Sequence, residues 1–110
     1  MKDKLYEVLK NPANKLIAVD LDGTLSTGEF WGVGGEPEPE PIQKMIDYIN
    51  KLYLKGAHII IYTARNQDMY RLTQAWLIKH SVRFHGIAMQ HKLGADLYIE
   101  DKALNVEDIL

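Results

Sequence analysis

The sequence predicts an α/β protein, a three-layer α/β/α sandwich on a mainly parallel sheet. Three observations predict it. Short apolar runs, Leu16-Ile17-Ala18-Val19 and Ile59-Ile60-Ile61 among them, have the length and β-propensity of buried strands. Amphipathic helical stretches alternate with those runs, an order that favours parallel pairing through right-handed crossovers. Acidic and hydroxyl residues recur where the runs end, at the edge where open parallel sheets bind ligands. The chain has 110 residues, enough for one core and too few for two, so 1–110 is read as a single domain.

Leu5, Val8 and Leu9 at helical spacing suggest an opening helix over 3–10, ended by Asn11-Pro12. The first strand is expected over 15–20. Residues 26–41 then form a Gly- and Pro-rich loop holding Phe30 and Trp31, long for so small a domain and therefore a candidate functional segment. Within it, Glu36 to Pro41 alternates acid and proline, a brief stiff segment rather than a linker between domains. Pro41 opens an amphipathic helix whose apolar stripe is Ile42, Met45, Ile46, Ile49, Leu52 and Tyr53. Lys55-Gly56 is its stop. The second strand, 58–62, is apolar enough to be central and covered on both faces. A further helix starts near Asp68, with Met69, Leu72, Ala75, Trp76 and Lys79 on its inner side. A weaker strand is expected over 82–89, a short one over Leu97–Ile99, and a last helical turn over 105–110.

The formal net charge of −2 offers no attraction to nucleic acid or to a membrane surface. The absence of cysteine excludes disulfides, thiolate metal sites and a cysteine nucleophile. No apolar run approaches the roughly 20 residues that span a bilayer, and the charged N-terminus lacks the apolar core of a signal peptide. A cytoplasmic location is the expectation.

Asp20-Leu21-Asp22-Gly23-Thr24 is the most specific stretch. Two carboxylates spaced i, i+2 converge on one point if the backbone stays extended, and Gly23 then lets the chain turn. Like charges at close range repel, and burial adds desolvation. A divalent cation or an acid/base division of labour would relieve that strain; the competing reading is a solvated Asx turn. Thr63 and Arg65 follow the second strand, and Glu100 and Asp101 follow the last. A parallel sheet would bring all of these to one crevice. Four carboxylates there call for a hard cation, Mg²⁺, with Lys92 adding a second positive charge. Carboxylates, Mg²⁺, a lysine and a hydroxyl describe phosphoryl transfer better than hydride, acyl or glycosyl chemistry.

Asp20-Leu21-Asp22-Gly23-Thr24, then Thr63, Lys92 and Glu100-Asp101, resembles in order the four-motif signature of the haloacid dehalogenase (HAD) superfamily. The resemblance covers roughly residues 15 to 105. Gly35-Glu36-Pro37, Tyr62-Thr63-Ala64-Arg65 and the run from Ala95 to Asn105 resemble a small capless phosphatase branch with a Rossmann-like sheet. The resemblance implies Asp20 as nucleophile and metal ligand. It implies Asp22 as general acid/base, its backbone carbonyl also touching the metal. Thr63 and Lys92 would hold the phosphoryl group, and Glu100 and Asp101 would complete the Mg²⁺ shell. The usual final pair is Asp-Asp, and Glu100 reaches one methylene further; Glu100 is expected to ligate, directly or through water, with Asp101 in support. Thr24, Arg65, Phe30 and Trp31 are the substrate candidates. Arg65 reads equally as a surface salt-bridge partner, and Phe30 and Trp31 equally as packing aromatics. His91 reads as a surface residue, with a catalytic base as the alternative, Met69 and Trp76 read as core, and His58, His80 and His85 lack metal-ligand spacing.

Neither gap between motifs is long enough for a cap domain. An uncapped site cannot exclude water by closing a lid, so a second copy of the chain or a bulky substrate would have to cover it. The expected function is Mg²⁺-dependent hydrolysis of a small phosphomonoester, a sugar phosphate or nucleotide. Three alternatives stand: a non-catalytic binding or regulatory domain of the same fold, a macromolecular substrate, and transfer to an acceptor other than water.

Overall fold

The computed structural model describes residues 8–27, 38–90 and 97–99. β1 is Leu16–Asp20, α1 is Gln43–Leu54 and β2 is His58–Thr63. A 3-10 turn, Gln67–Met69, leads into α2, Tyr70–Lys79. β3 is Gly86–Met89 and β4 is Leu97–Ile99. The four strands lie in the order β3-β2-β1-β4, and every pairing is parallel.

The two crossovers, β1-α1-β2 and β2-α2-β3, step the same way across the sheet. Right-handed connections therefore place α1 and α2 on one face. Asn50 of α1 ties them together: its Nδ2 donates to the carbonyl of Ser81 and its Oδ1 accepts from the Arg83 N–H, each at 2.8 Å. The strand register lines up Ile17 with Ile59, and Val19 with Ile61 and Ile99. These residues share one core cluster with Met45, Ile46, Ile49 and Leu52 of α1 and with Trp76 and Leu77 of α2. Burying each large aliphatic side chain stabilises the fold by about 1.5–3 kcal/mol. The other face of β2 is less covered by the described residues: Ile60 and Tyr62 are only partly buried and His58 is exposed. Of the expected opening helix, the turn 8–10 is described, and Val8 joins the core. Residues 1–7 and the expected tail helix lie outside the described residues.

Both helices end in a Schellman motif. For α1 the Gly56 N–H donates to the Tyr53 carbonyl and the Ala57 N–H to that of Leu52, with Gly56 at φ +96°. For α2 the Ser81 N–H donates to Ile78 and the Val82 N–H to Leu77, but here a serine takes the left-handed position, φ +57°. The expected strand over 82–89 is thus half connection. Val82 belongs to the helix stop, and pairing with β2 begins only at Gly86.

α2 also corrects the expected inner face. Thr73, Trp76 and Leu77 are its buried residues, whereas Leu72 is 49% exposed and Ala75 and Lys79 also face solvent. Among large apolar residues Met69, Trp76 and Leu77 point inward, so Thr73 shares the packed stripe at i, i+4 from Met69. Between β2 and β3 the chain forms only the 3-10 turn and α2, so no cap is inserted there.

Candidate active site

β1 delivers Asp20 at its last residue, in register with Tyr62, and the Leu21 N–H still donates to the Tyr62 carbonyl at 3.2 Å. The backbone therefore stays sheet-like one residue past the strand. Leu21 is fully buried, so Asp20 and Asp22 flank it on the other side, both partly buried. Gly23, at φ +86°, then reverses the chain. The Leu21 carbonyl accepts N–H groups from Thr24, Leu25 and Ser26, and Gly23 donates to the Ser26 carbonyl. This tight loop buries Thr24, Leu25 and Ser26 directly behind the two acids.

β2 delivers the complementary groups. Thr63 Oγ1 donates to Asp22 Oδ2 at 3.3 Å and accepts the Arg65 N–H at 3.2 Å. Arg65 grips the same carboxylate with two donors: Nε to Oδ2 at 3.0 Å and Nη2 to Oδ1 at 2.5 Å. The Arg65 side chain is only 8% exposed and that of Asp22 23%. A surface salt bridge, one of the two expectations for Arg65, is therefore replaced by a largely enclosed bidentate pair. Such a fork fixes geometry as well as charge.

The first two sequence signals thus meet physically, across a gap of more than forty residues in sequence. Thr24, two residues past Asp22, is 1% exposed, and its Oγ1 is buried with no hydrogen-bond partner among the described residues. A substrate contact through Thr24 would need that hydroxyl uncovered. Phe30, Trp31, His91, Lys92, Glu100 and Asp101 lie outside the described residues. Leu97–Ile99 pairs with β1, so the chain leading to Glu100 leaves from the carboxyl end of the strand next to Asp20.

Several polar contacts at this edge carry no signal in the sequence. Ser26 is fully buried, with Oγ donating to the Leu21 carbonyl at 3.4 Å. Gln90, left-handed at φ +66°, donates through its backbone N–H to the Thr63 carbonyl and through Nε2 to Asn66 Oδ1 at 2.8 Å. Trp76 is core as expected, but its Nε1 also donates to the Pro39 carbonyl at 3.1 Å, tying the loop before α1 to α2. His58 and His85 come together at the opposite, amino edge of the sheet, away from the acids, with ring centroids 4.9 Å apart.

Among the described residues no group of three or more His, Cys, Asp or Glu could hold a metal ion. A Mg²⁺ ion would find hard oxygens in the Asp20 carboxylate and the Asp22 backbone carbonyl, while the Asp22 carboxylate is engaged by Thr63 and Arg65.

No protein-family model and no curated protein matches the chain. Two solved structures resemble it. One is a structural-genomics target from Vibrio cholerae, 28% identical, with a TM-score of 0.61 and 86% of each chain covered. The other, also from Vibrio cholerae, is described as a candidate 3-deoxy-D-manno-octulosonate 8-phosphate phosphatase. It is 22% identical with a TM-score of 0.54, and the match covers 80% of this chain but 46% of the other.

Proposed function

We propose, from the haloacid dehalogenase-like fold that this chain has, that it is a capless, Mg²⁺-dependent phosphomonoester hydrolase with Asp20 as nucleophile. The observation that carries the reading is the junction of Asp22 with Thr63 and Arg65 at the carboxyl edge of the sheet. It sets a hydroxyl and a guanidinium, two groups suited to phosphoryl oxygens, beside the paired acids.

In this reading the Asp20 carboxylate attacks phosphorus, and the bond to the leaving alcohol oxygen breaks, giving an aspartyl-phosphate. Asp22 delivers a proton to that oxygen, then takes one from the water that hydrolyses the intermediate. To carry a proton, Asp22 must leave Arg65. An incoming phosphate dianion competes for the same guanidinium fork, so substrate arrival itself would release the acid. Thr63 and Arg65 then orient the phosphoryl oxygens, with Lys92 as a further cation. Mg²⁺ would be held by the Asp20 carboxylate, the Asp22 backbone carbonyl and Glu100 or Asp101. When bound, it supplies neutralisation between two anions that would otherwise repel.

The substrate class is a small phosphomonoester, a sugar phosphate or nucleotide; the sugar-acid phosphate in the description of the second relative falls in that class. No cap is inserted between β2 and β3, so in this reading a second copy or the substrate itself would help to cover the site. No helix among the described residues is long and apolar enough to cross a membrane. A colorimetric assay with phenyl phosphate, with and without Mg²⁺, tests the reading. Absence of metal-dependent turnover, or an Asp20→Asn protein as active as the parent, would leave a non-catalytic binding domain in its place.

A further inference from the structure

Gln90 and Asn66 occupy the carboxyl ends of neighbouring strands. Asn66 directly follows Arg65, and the Gln90 N–H is bonded to the carbonyl of Thr63 at 2.6 Å. Both are therefore one residue or one hydrogen bond away from the groups that hold Asp22. Their side chains are exposed and meet through Gln90 Nε2 and Asn66 Oδ1 at 2.8 Å. Gln90 reaches this position with φ +66°, a backbone conformation uncommon for a side chain with a Cβ. The other two left-handed non-glycine residues sit elsewhere: Asn14 in the turn before β1, and Ser81 in the stop of α2. The backbone angle therefore fixes where the Gln90 amide stands and does not by itself mark a site.

We propose that this amide pair reads substrate hydroxyls, so that the substrate is a phosphorylated polyol or sugar rather than a phosphomonoester lacking hydroxyls near the phosphate. The proposal rests on the hydrolase reading above. The hydrogen-bonding inventory supports it. One bond joins the two amides, which leaves the Asn66 Nδ2 donors and the Gln90 Oε1 acceptor directed to no protein partner among the described residues. A hydroxyl both donates and accepts, so a neighbouring donor and acceptor match it, and adjacent hydroxyls of a sugar match them together. An aromatic leaving group makes neither bond.

The test compares kcat/KM for ribose 5-phosphate, glucose 6-phosphate and glycerol 3-phosphate with that for phenyl phosphate, in the parent, Gln90→Gly and Asn66→Ala. Glycine accepts the left-handed backbone, so Gln90→Gly removes the amide without adding strain. The expected result is a parent that prefers at least one hydroxylated substrate. That preference, as a ratio to phenyl phosphate, should fall about tenfold in each variant, as expected for one lost hydrogen bond in the transition state. A ratio that stays within twofold of the parent's, or a parent with no such preference, overturns the amide proposal and leaves the hydrolase reading standing. If all four substrates decline together, the pair only positions the loop and the proposal again fails. A parent that turns over none of the four overturns both.

Discussion

The two ends of the parallel sheet handle polar groups in opposite ways. At the amino edge the described backbone groups and His85 pair with one another. The Asn14 N–H donates to the Gly56 carbonyl, His58 to Lys15 and His85 to Ile59, all within 2.8–2.9 Å. His85 Nδ1 accepts the Ile59 N–H at 3.0 Å, and its ring stacks on Tyr53 with centroids 4.6 Å apart. These bonds close the sheet, although Asn14 before β1 and Ser81 after α2 also take left-handed backbones at this end. The carboxyl edge holds an enclosed ion pair, a buried hydroxyl with no described partner, and a left-handed glutamine. Each costs free energy that an apolar or glycine residue would spare. One end is closed by backbone and ring contacts, and the other holds the side chains on which the proposed function rests.

Mutations can break or sharpen that contrast. The largest effect is expected from Asp20→Asn. Turnover of phenyl phosphate should fall by about 10³-fold or more, with the protein still folded by circular dichroism. Arg65→Met comes next. It strips the fork from Asp22, so stability should drop by about 1–3 kcal/mol in denaturant melts and KM should rise. Arg65→Lys keeps the charge but not the fork and should fall between the two. At the amino edge His85→Ala should cost about 1–2 kcal/mol, through the orphaned Ile59 N–H and the lost stack, with kcat/KM unchanged. A drop in kcat/KM there would dissolve the distinction between the two edges.

Smaller changes probe the fold alone. Ser81→Gly should stabilise by about 0.5–1 kcal/mol, since glycine relieves the left-handed stop of α2. The smallest concerns Glu38, whose carboxylate bonds Lys79 Nζ at 2.7 Å on the surface. The hydrogen bond and charge of Lys79 hold the Glu38 carboxyl below its ordinary value. A carboxylate with a lowered folded-state value contributes stability above its ordinary titration range and loses it as pH falls through the folded value. Lys79→Met should return the Glu38 titration, followed by NMR, to the ordinary range, with a slight effect on melting because exposed pairs are screened.

How far the sequence could be read depended on the kind of information each element carries. The α1 stripe was legible because every large residue in it is apolar and period 3.6 admits one face; Met45, Ile46, Ile49 and Leu52 are its buried residues. α2 was not, because Leu72 and Ile78 are apolar yet exposed while Thr73 is polar yet buried. Its inner face was settled by what it packs against. β3 was read too long because Val82 is apolar for the sake of the α2 stop, not for strand pairing.

The site divides along the same line. Asp20, Asp22, Thr63 and Arg65 were legible as strand-end residues, since in a parallel sheet strand order in the sequence already implies a shared edge. Their partnership was not. Read one residue at a time, Arg65 fitted a substrate contact or a surface ion pair, and only the side-chain packing shows it enclosed against Asp22. His58 and His85, 27 positions apart, showed no ligand spacing, yet the start of two adjacent strands brings their rings together.

By itself, then, the sequence determined the order of strands and helices, the parallel sheet and the residues that reach its carboxyl edge. Those follow from short-range periodicity and chain connectivity. Only the tertiary structure decided which face α2 buries, that Thr63 and Arg65 both hold Asp22, and that Gln90 turns left-handed to meet Asn66. Such pairings depend on distances between segments remote in the chain, which no local pattern encodes.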